Sequence, residues 1–252
     1  MLASFVLPVM LLCQSAAELP APTDVKKLSI ELTTEMWSGF TEPDQSGAYF
    51  DLVNLIFQPW QPKLKVQFTN FNRAVTLVKQ GKADMTLAVS GHDSDDVLLS
   101  QHPIDKDQLI AIYNPKLHKV TQINDLQPLR LAWNLAYDFG AIIGLNNQGY
   151  EVPSVAQGIE LVLNKRIDVY LSEQSQYEYY LRQRSNEALP LEAVAIGSDP
   201  IYAAFAKTDK GLQLKCLWDR RFQTLAQTGE LQQLYQRYSA FHLILDEPAP
   251  QQ

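Results

Sequence analysis

Leu77-Val-Lys-Gln-Gly-Lys-Ala-Asp84 and Leu161-Val-Leu-Asn-Lys-Arg-Ile-Asp168 align residue for residue at a constant offset, Asp84 falling on Asp168. Each reads as the end of an amphipathic helix, a polar turn with a cation, an aspartate and then an apolar strand. Leu87 of the first strand falls on Leu171 of the second. Two copies of one helix-to-strand joint in a 252-residue chain point to two lobes of similar build.

The flanking sequence extends both copies. Leu28 to Thr33 alternates apolar and polar and reads as a strand. Gly47 to Phe57 carries Phe50, Val53 and Phe57 at helical spacing, and Lys65 to Thr69 reads as a second strand. Asn72 is placed to cap the helix that ends at Gly81, and Met85 to Val89 is a buried strand. This β-α-β-α-β order predicts a mostly parallel sheet with helices on its faces. The second series predicts strands at Leu129–Trp133, Glu151–Val152 and Val169–Ser172, with helices at Asp138–Leu145 and Val155–Asn164. Gln108 to Tyr113 and Ile201 to Lys207 are apolar stretches placed to cross between the lobes as a hinge. Leu212 to Tyr238 reads as two helices broken at Gly229.

Composition narrows the function. The hydrophobic fraction of 46% excludes a disordered chain. A net charge of −7 without a basic run argues against nucleic-acid binding, where lysine and arginine must neutralise phosphates. Two cysteines, Cys13 and Cys216, make neither a zinc cluster nor a disulfide framework. The uncharged run MLASFVLPVMLLC from Met1 to Cys13 is too short to span a bilayer. Small residues at Ser15 and Ala17 follow it, so a secretory signal peptide over residues 1–17 is expected, with the mature chain starting at Glu18 in the periplasm.

Catalytic signatures are missing. There is no G-x-S-x-G elbow, no phosphate-binding G-x-x-x-x-G-K-[ST] loop, no H-E-x-x-H and no G-x-G-x-x-G. His92, His102, His118 and His242 lack metal-ligand spacing, and Asp93-Ser-Asp95-Asp96 lacks the glycine and glutamate of a calcium loop. Neither a metal nor a cofactor is expected, and no enzyme activity. A two-lobed α/β chain without catalytic groups instead suggests a ligand held in the crevice between lobes.

The order of segments resembles the bacterial extracellular solute-binding protein family 3, the periplasmic amino-acid-binding class that feeds ABC importers. The likeness runs over roughly residues 27 to 239. Trp37-Ser-Gly-Phe40 sits where this family has an aromatic-rich loop, and Gly47-Ala-Tyr-Phe-Asp51 is similar to its G-x-x-F-D helix start. Val75 to Asp84 resembles its L-x-x-G-K-x-D joint, and Ser100-Gln-His-Pro103 its F-S-x-P-Y turn. Ile123-Asn-Asp-Leu126, Asp168 to Glu173 and Thr228-Gly229-Glu230-Leu231 match later segments in order.

The resemblance implies a periplasmic binding protein type II-like fold, α/β and two-lobed, with a hinge of two crossing strands. The lobes would be residues 27–111 plus 204–252, and 112–203. It implies a monomer that captures a small polar or amino-acid-like solute and delivers it to an ABC permease, or an orphan binding protein that reports to a membrane sensor. A dehydratase on the same fold, with Glu173 as general acid, is a further alternative. The family's cleft positions correspond to Trp37, Phe40, Arg73, Ser90, Gly91, Tyr137, Asp138 and Glu173, with Glu173 in the place that receives a ligand ammonium. The family's T-x-E-R arginine is absent from Ser90 to Val97, leaving Arg73 as the cation expected to grip a ligand carboxylate. Its place in the first turn of a helix, unfavourable for a cation without an anion nearby, points the same way.

Overall fold

The structure is a computed structural model and describes residues 28–91, 95–135, 137, 139–145, 149–184 and 188–238. The expected leader and the site candidate Asp138 lie outside these residues. The first half of the chain runs β1 (Ser29–Thr34), α1 (Ala48–Phe57), β2 (Lys63–Phe68), α2 (Phe71–Lys79), β3 (Met85–Ser90), β4 (Val97–Leu99) and β5 (Asp105–Tyr113). The second runs β6 (Leu131–Asn134), α3 (Phe139–Ile142), β7 (Tyr150–Val152), α4 (Val155–Leu163), β8 (Val169–Glu173), α5 (Gln174–Gln183) and β9 (Glu192–Ala206). Helices α6 (Asp209–Thr228) and α7 (Glu230–Arg237) follow, parted at Gly229 in the left-handed region (φ 78°).

The repeated joint of the sequence is a repeated joint in space. Helices α2 and α4 occupy the same positions at the same offset, and so do their caps. The Asn70 carboxamide accepts from the Arg73 amide, and the Ser154 hydroxyl accepts from the Gln157 amide. The cap therefore sits two residues before the one expected at Asn72. Its exit turns match as well: the Lys82 amide donates to the Leu77 carbonyl at 2.8 Å and the Arg166 amide to the Leu161 carbonyl at 2.9 Å. Each aspartate then clasps the neighbouring strand. The Asp84 amide donates to the Glu31 carbonyl while its carboxylate accepts from the Glu31 amide; Asp168 does the same with Arg130. The strand edge offers a carbonyl, which the aspartate's own amide meets, and an amide, which needs a side-chain oxygen to accept from it.

In each half two parallel ladders form, β1 on β2 and β3, and β6 on β7 and β8. The third parallel strand of each half then pairs antiparallel with a long crossing strand, β3 with β9 and β8 with β5. The sequence leads one to expect a separate sheet in each lobe. Instead β5 and β9 pair with one another from Asp105–Ile201 to Tyr113–Glu192, which joins the strands into one path, β2-β1-β3-β9-β5-β8-β6-β7. The apolar cores stay separate. Ile104, Ile201 and Phe205 pack with Phe50 and Phe57 of the first half and with Trp218 of α6. Leu109, Tyr113 and Ile196 pack with Trp133, Phe139 and Leu171 of the second. A register shift at Leu109–Ile110 marks the crossing, where a bulge lets the ladder change direction. The strand β9 starts well before the expected Ile201. Gly197-Ser-Asp-Pro200 has turn composition but stays extended against β5.

Candidate functional site

A cavity of about 920 Å3 opens between the two cores, over the crossing strands. Its first wall is aromatic and comes from the loop after β1 and the starts of α1 and α2. Trp37 lies 6.0 Å from Phe71 and 6.4 Å from Tyr49, ring centre to ring centre, and Phe40 lies 4.8 Å from Tyr49. Buried Thr41 fixes this loop: its hydroxyl accepts from the Trp37 amide and donates to the Glu35 carbonyl. On the other side Tyr137 stacks on Phe139 at 5.4 Å, and Tyr179 and Tyr180 of α5 continue the wall.

The floor is acidic. Asp107 of β5 stands opposite Asp199 of β9, and Glu173 at the end of β8 stands opposite Leu109, two residues along the same face from Asp107. Asp105 continues the row and accepts from the Tyr49 hydroxyl. On adjacent strands of one face, the Asp107 and Glu173 carboxyls are near enough to interact. Burial, followed by the charges of Glu173, Asp105 and Asp199, pushes the Asp107 carboxyl well above the carboxylate range. Glu173 is raised to about 7, burial again being the first cause, and a hydrogen bond from Gln176 opposes the rise. Two unit charges 4 Å apart at an effective dielectric of about 20 repel by about 4 kcal/mol. Two carboxylates this close disfavour each other's charge, and a cation placed between them relieves the repulsion.

Glu173 is held from behind. The Gln176 amide nitrogen donates to Glu173 at 2.8 Å and to the Tyr137 hydroxyl at 3.3 Å. Its oxygen accepts from Asn134 at 2.9 Å, and the Asn134 oxygen accepts from the buried Tyr170 hydroxyl at 2.7 Å. This line of contacts fixes the orientation of both carboxamides and ties the acidic floor to the second core.

Of the residues expected from the sequence, Trp37, Phe40, Ser90, Tyr137 and Glu173 line the cavity. Gly91 is half-buried just beyond β3 and is not among the lining residues. Arg73 is also not a lining residue: its side chain is exposed on α2. The anion that the start of α2 calls for is Glu35, whose carboxylate accepts from the Phe71 amide at 2.9 Å. Asp107 and Asp199, Tyr49, Phe71, Phe139 and Gln176 were not expected. Asp105, Asp107 and Leu109 did carry a legible signal, alternate positions on one strand face.

No family model and no curated protein matches the sequence. Solved structures do match in shape. A histidine kinase sensor domain with similarity to periplasmic binding proteins aligns over 86% of this chain and 98% of its own, with a TM-score of 0.69 and 14% identity. The fold is that of the two-lobed periplasmic binding proteins. A histidine-bound substrate-binding protein of an ABC uptake transporter from Streptococcus pneumoniae covers 86% of this chain and 95% of its own, with a TM-score of 0.63 and 17% identity. The arginine-, lysine-, histidine-binding protein ArtJ from Geobacillus stearothermophilus covers 88% and 98%, with a TM-score of 0.64 and 14% identity. In a binding-protein fold the acidic floor lies on the hinge strands themselves, and the aromatic walls belong one to each lobe.

Proposed function

We propose that the chain is an exported solute-binding protein that captures a small polar solute between its lobes. Residues 1–17 would direct export and be cleaved from the exported chain. Its lobes would meet where β5 and β9 change cores, between Ile104 and Leu109 and between Ile196 and Ile201, a few residues before the boundaries expected at 111 and 203. The observation that carries this reading is the cavity of about 920 Å3, walled by both lobes and floored by the strands that join them. A space of that volume suits a small organic molecule. Among the described residues no helix is long and apolar enough to cross a membrane. Delivery would fall to a membrane partner. An ABC permease is the partner that the similar binding proteins suggest. The similarity to a kinase sensor domain supports a second partner, a membrane sensor, with the same capture step.

Closure on the solute must come from a ligand that binds the closed form better than the open one. Small-angle scattering on the secreted chain tests this. Solute released by denaturing the purified protein, identified by mass spectrometry and added back, should shrink the radius of gyration. A profile unmoved by every solute that binds would sink the capture reading.

A further inference from the structure

We propose, on the binding-protein reading above, that the cleft takes a small organic amine or guanidine without a carboxylate, its cationic group seated on the row formed by Asp107, Glu173 and Asp199. The cavity makes the site; its charges decide what enters. Among the described lining residues Asp107, Glu173, Glu178 and Asp199 are acidic and Arg182 alone is basic. Arg182 is exposed and 3.9 Å from Glu178. It stands nine residues along α5 from Glu173, about 13 Å by helix rise, too far to share a ligand group with the floor.

A ligand carboxylate would otherwise need open helix starts, and those of α2 and α4 are capped. Asn70 and Glu35 accept from the first amides of α2, and Ser154 accepts from α4. At α5 the N-cap is Glu173, which puts a carboxylate where an anion would have to sit. The floor is the reverse case. Carboxylates this close favour a cation between them, and the described residues hold no group of three or more side chains arranged to bind a metal ion. An ammonium or guanidinium can donate to Asp107, Glu173 and Asp199 together, while Trp37 and Tyr137 line the cavity from opposite sides. The groups that face the pair are Asp105 and Asp199 on the hinge strands, Glu35 and Tyr49 from the first lobe, and Tyr137, Glu178 and Arg182 from the second. With Glu173 raised to about 7, protons compete with the ligand more strongly below that pH than above it.

Calorimetry on the purified chain tests the proposal with agmatine, 1,4-diaminobutane, L-arginine and L-glutamate, at pH 6 and pH 8, in buffers of different ionisation enthalpy. Agmatine or the diamine should bind at least about tenfold more tightly than L-arginine, L-glutamate should give no heat, and amine binding at pH 6 should release a proton and tighten at pH 8. Asp107→Asn and Asp199→Asn should each weaken the amine about tenfold or more without lowering the unfolding midpoint. L-Arginine binding as tightly as agmatine, amine binding indifferent to both variants, or no binding of either amine overturns the proposal. If a neutral or acidic solute then binds and closes the lobes, the capture reading stands without this one. If no solute of any class binds, both fall.

Discussion

At the position where β3 of the first lobe carries Thr86, the same offset puts Tyr170 in β8 of the second lobe. The helices above them differ to match. Ala74 lies in α2, but its counterpart in α4 is Gly158, where a Cβ would stand 2.3 Å from the Tyr170 ring. The large ring thus fits only because the helix above gave up its side chain. The two side chains end differently. The Thr86 hydroxyl is buried without a hydrogen-bond partner in the described structure. The Tyr170 hydroxyl starts the line through Asn134 and Gln176 to Glu173. One joint, used twice, is scaffold in the first lobe and a support for the cleft in the second.

Substitution at these matched positions should separate the lobes most widely. Tyr170→Ala removes a fully buried ring and should cost about 3–5 kcal/mol. It should also loosen Glu173 and, on the proposed capture reading, weaken solute binding. Thr86→Val replaces an unpaired hydroxyl by a methyl of similar shape and should leave stability within about 1 kcal/mol, on either side. Urea unfolding midpoints decide. Equal losses at the two sites would mean that the matched positions carry equal loads and that the contrast drawn here is empty.

The clasping aspartates offer a second contrast. Asp84 is joined by Lys210 of α6 at 2.6 Å, a contact that ties it to a distant helix. Asp168 is gripped locally: Arg130 donates from its main chain and from two guanidinium nitrogens, and His118 lies 3.2 Å away. The Arg130 hydrogen bond is the first cause that holds the Asp168 carboxyl down at about 2. Because the folded-state value is depressed, its contribution is fully present above the unfolded value near 4 and is lost as pH falls toward 2. The shift corresponds to about 2 kcal/mol. Asp168→Asn should therefore destabilise the protein by about 2 kcal/mol at neutral pH, and the gap to the parent should close between pH 4 and pH 2. Unfolding curves across that range test it; a gap that stays constant would assign the loss to the lost acceptor geometry rather than to charge.

What the sequence revealed of this fold followed from local pattern. The helix-turn-aspartate-strand joint is legible because periodicity, turn residue and carboxylate all fall within a dozen positions, and the aromatic loop at Trp37 and Phe40 lies beside a strand that could be read. Asp199 escaped because Gly197-Ser-Asp-Pro200 has the composition of a turn. Its extended shape comes from β5 pairing alongside, a contact some 90 residues away in the chain that no local pattern records. Arg73 was misplaced for the opposite reason. The dipole argument was sound, but a carboxylate from another segment, Glu35, had already met it. Charge that is satisfied across space looks unsatisfied along the chain.

The smallest contrast lies in the turn itself. Gly81 has φ 65° and Lys165, its counterpart, φ 58°. Glycine takes this left-handed conformation freely, whereas a lysine Cβ crowds the following carbonyl at a cost of roughly 1–2 kcal/mol. Lys165 is exposed, and the group of it that Arg130 uses is its main-chain carbonyl, at 3.1 Å. Lys165→Gly therefore keeps that hydrogen bond and relieves the strain. Glycine also gives the unfolded chain more freedom, which takes back part of the gain. The expected outcome is a net stabilisation of about 0.5 kcal/mol, read as a small rise in the urea midpoint. Gly81→Ala should lower it by about 1 kcal/mol, since the new Cβ meets both the left-handed backbone and the Thr208 methyl at 3.3 Å. If Lys165→Gly instead destabilises, the lysine side chain holds the second joint through contacts that its glycine counterpart never needed.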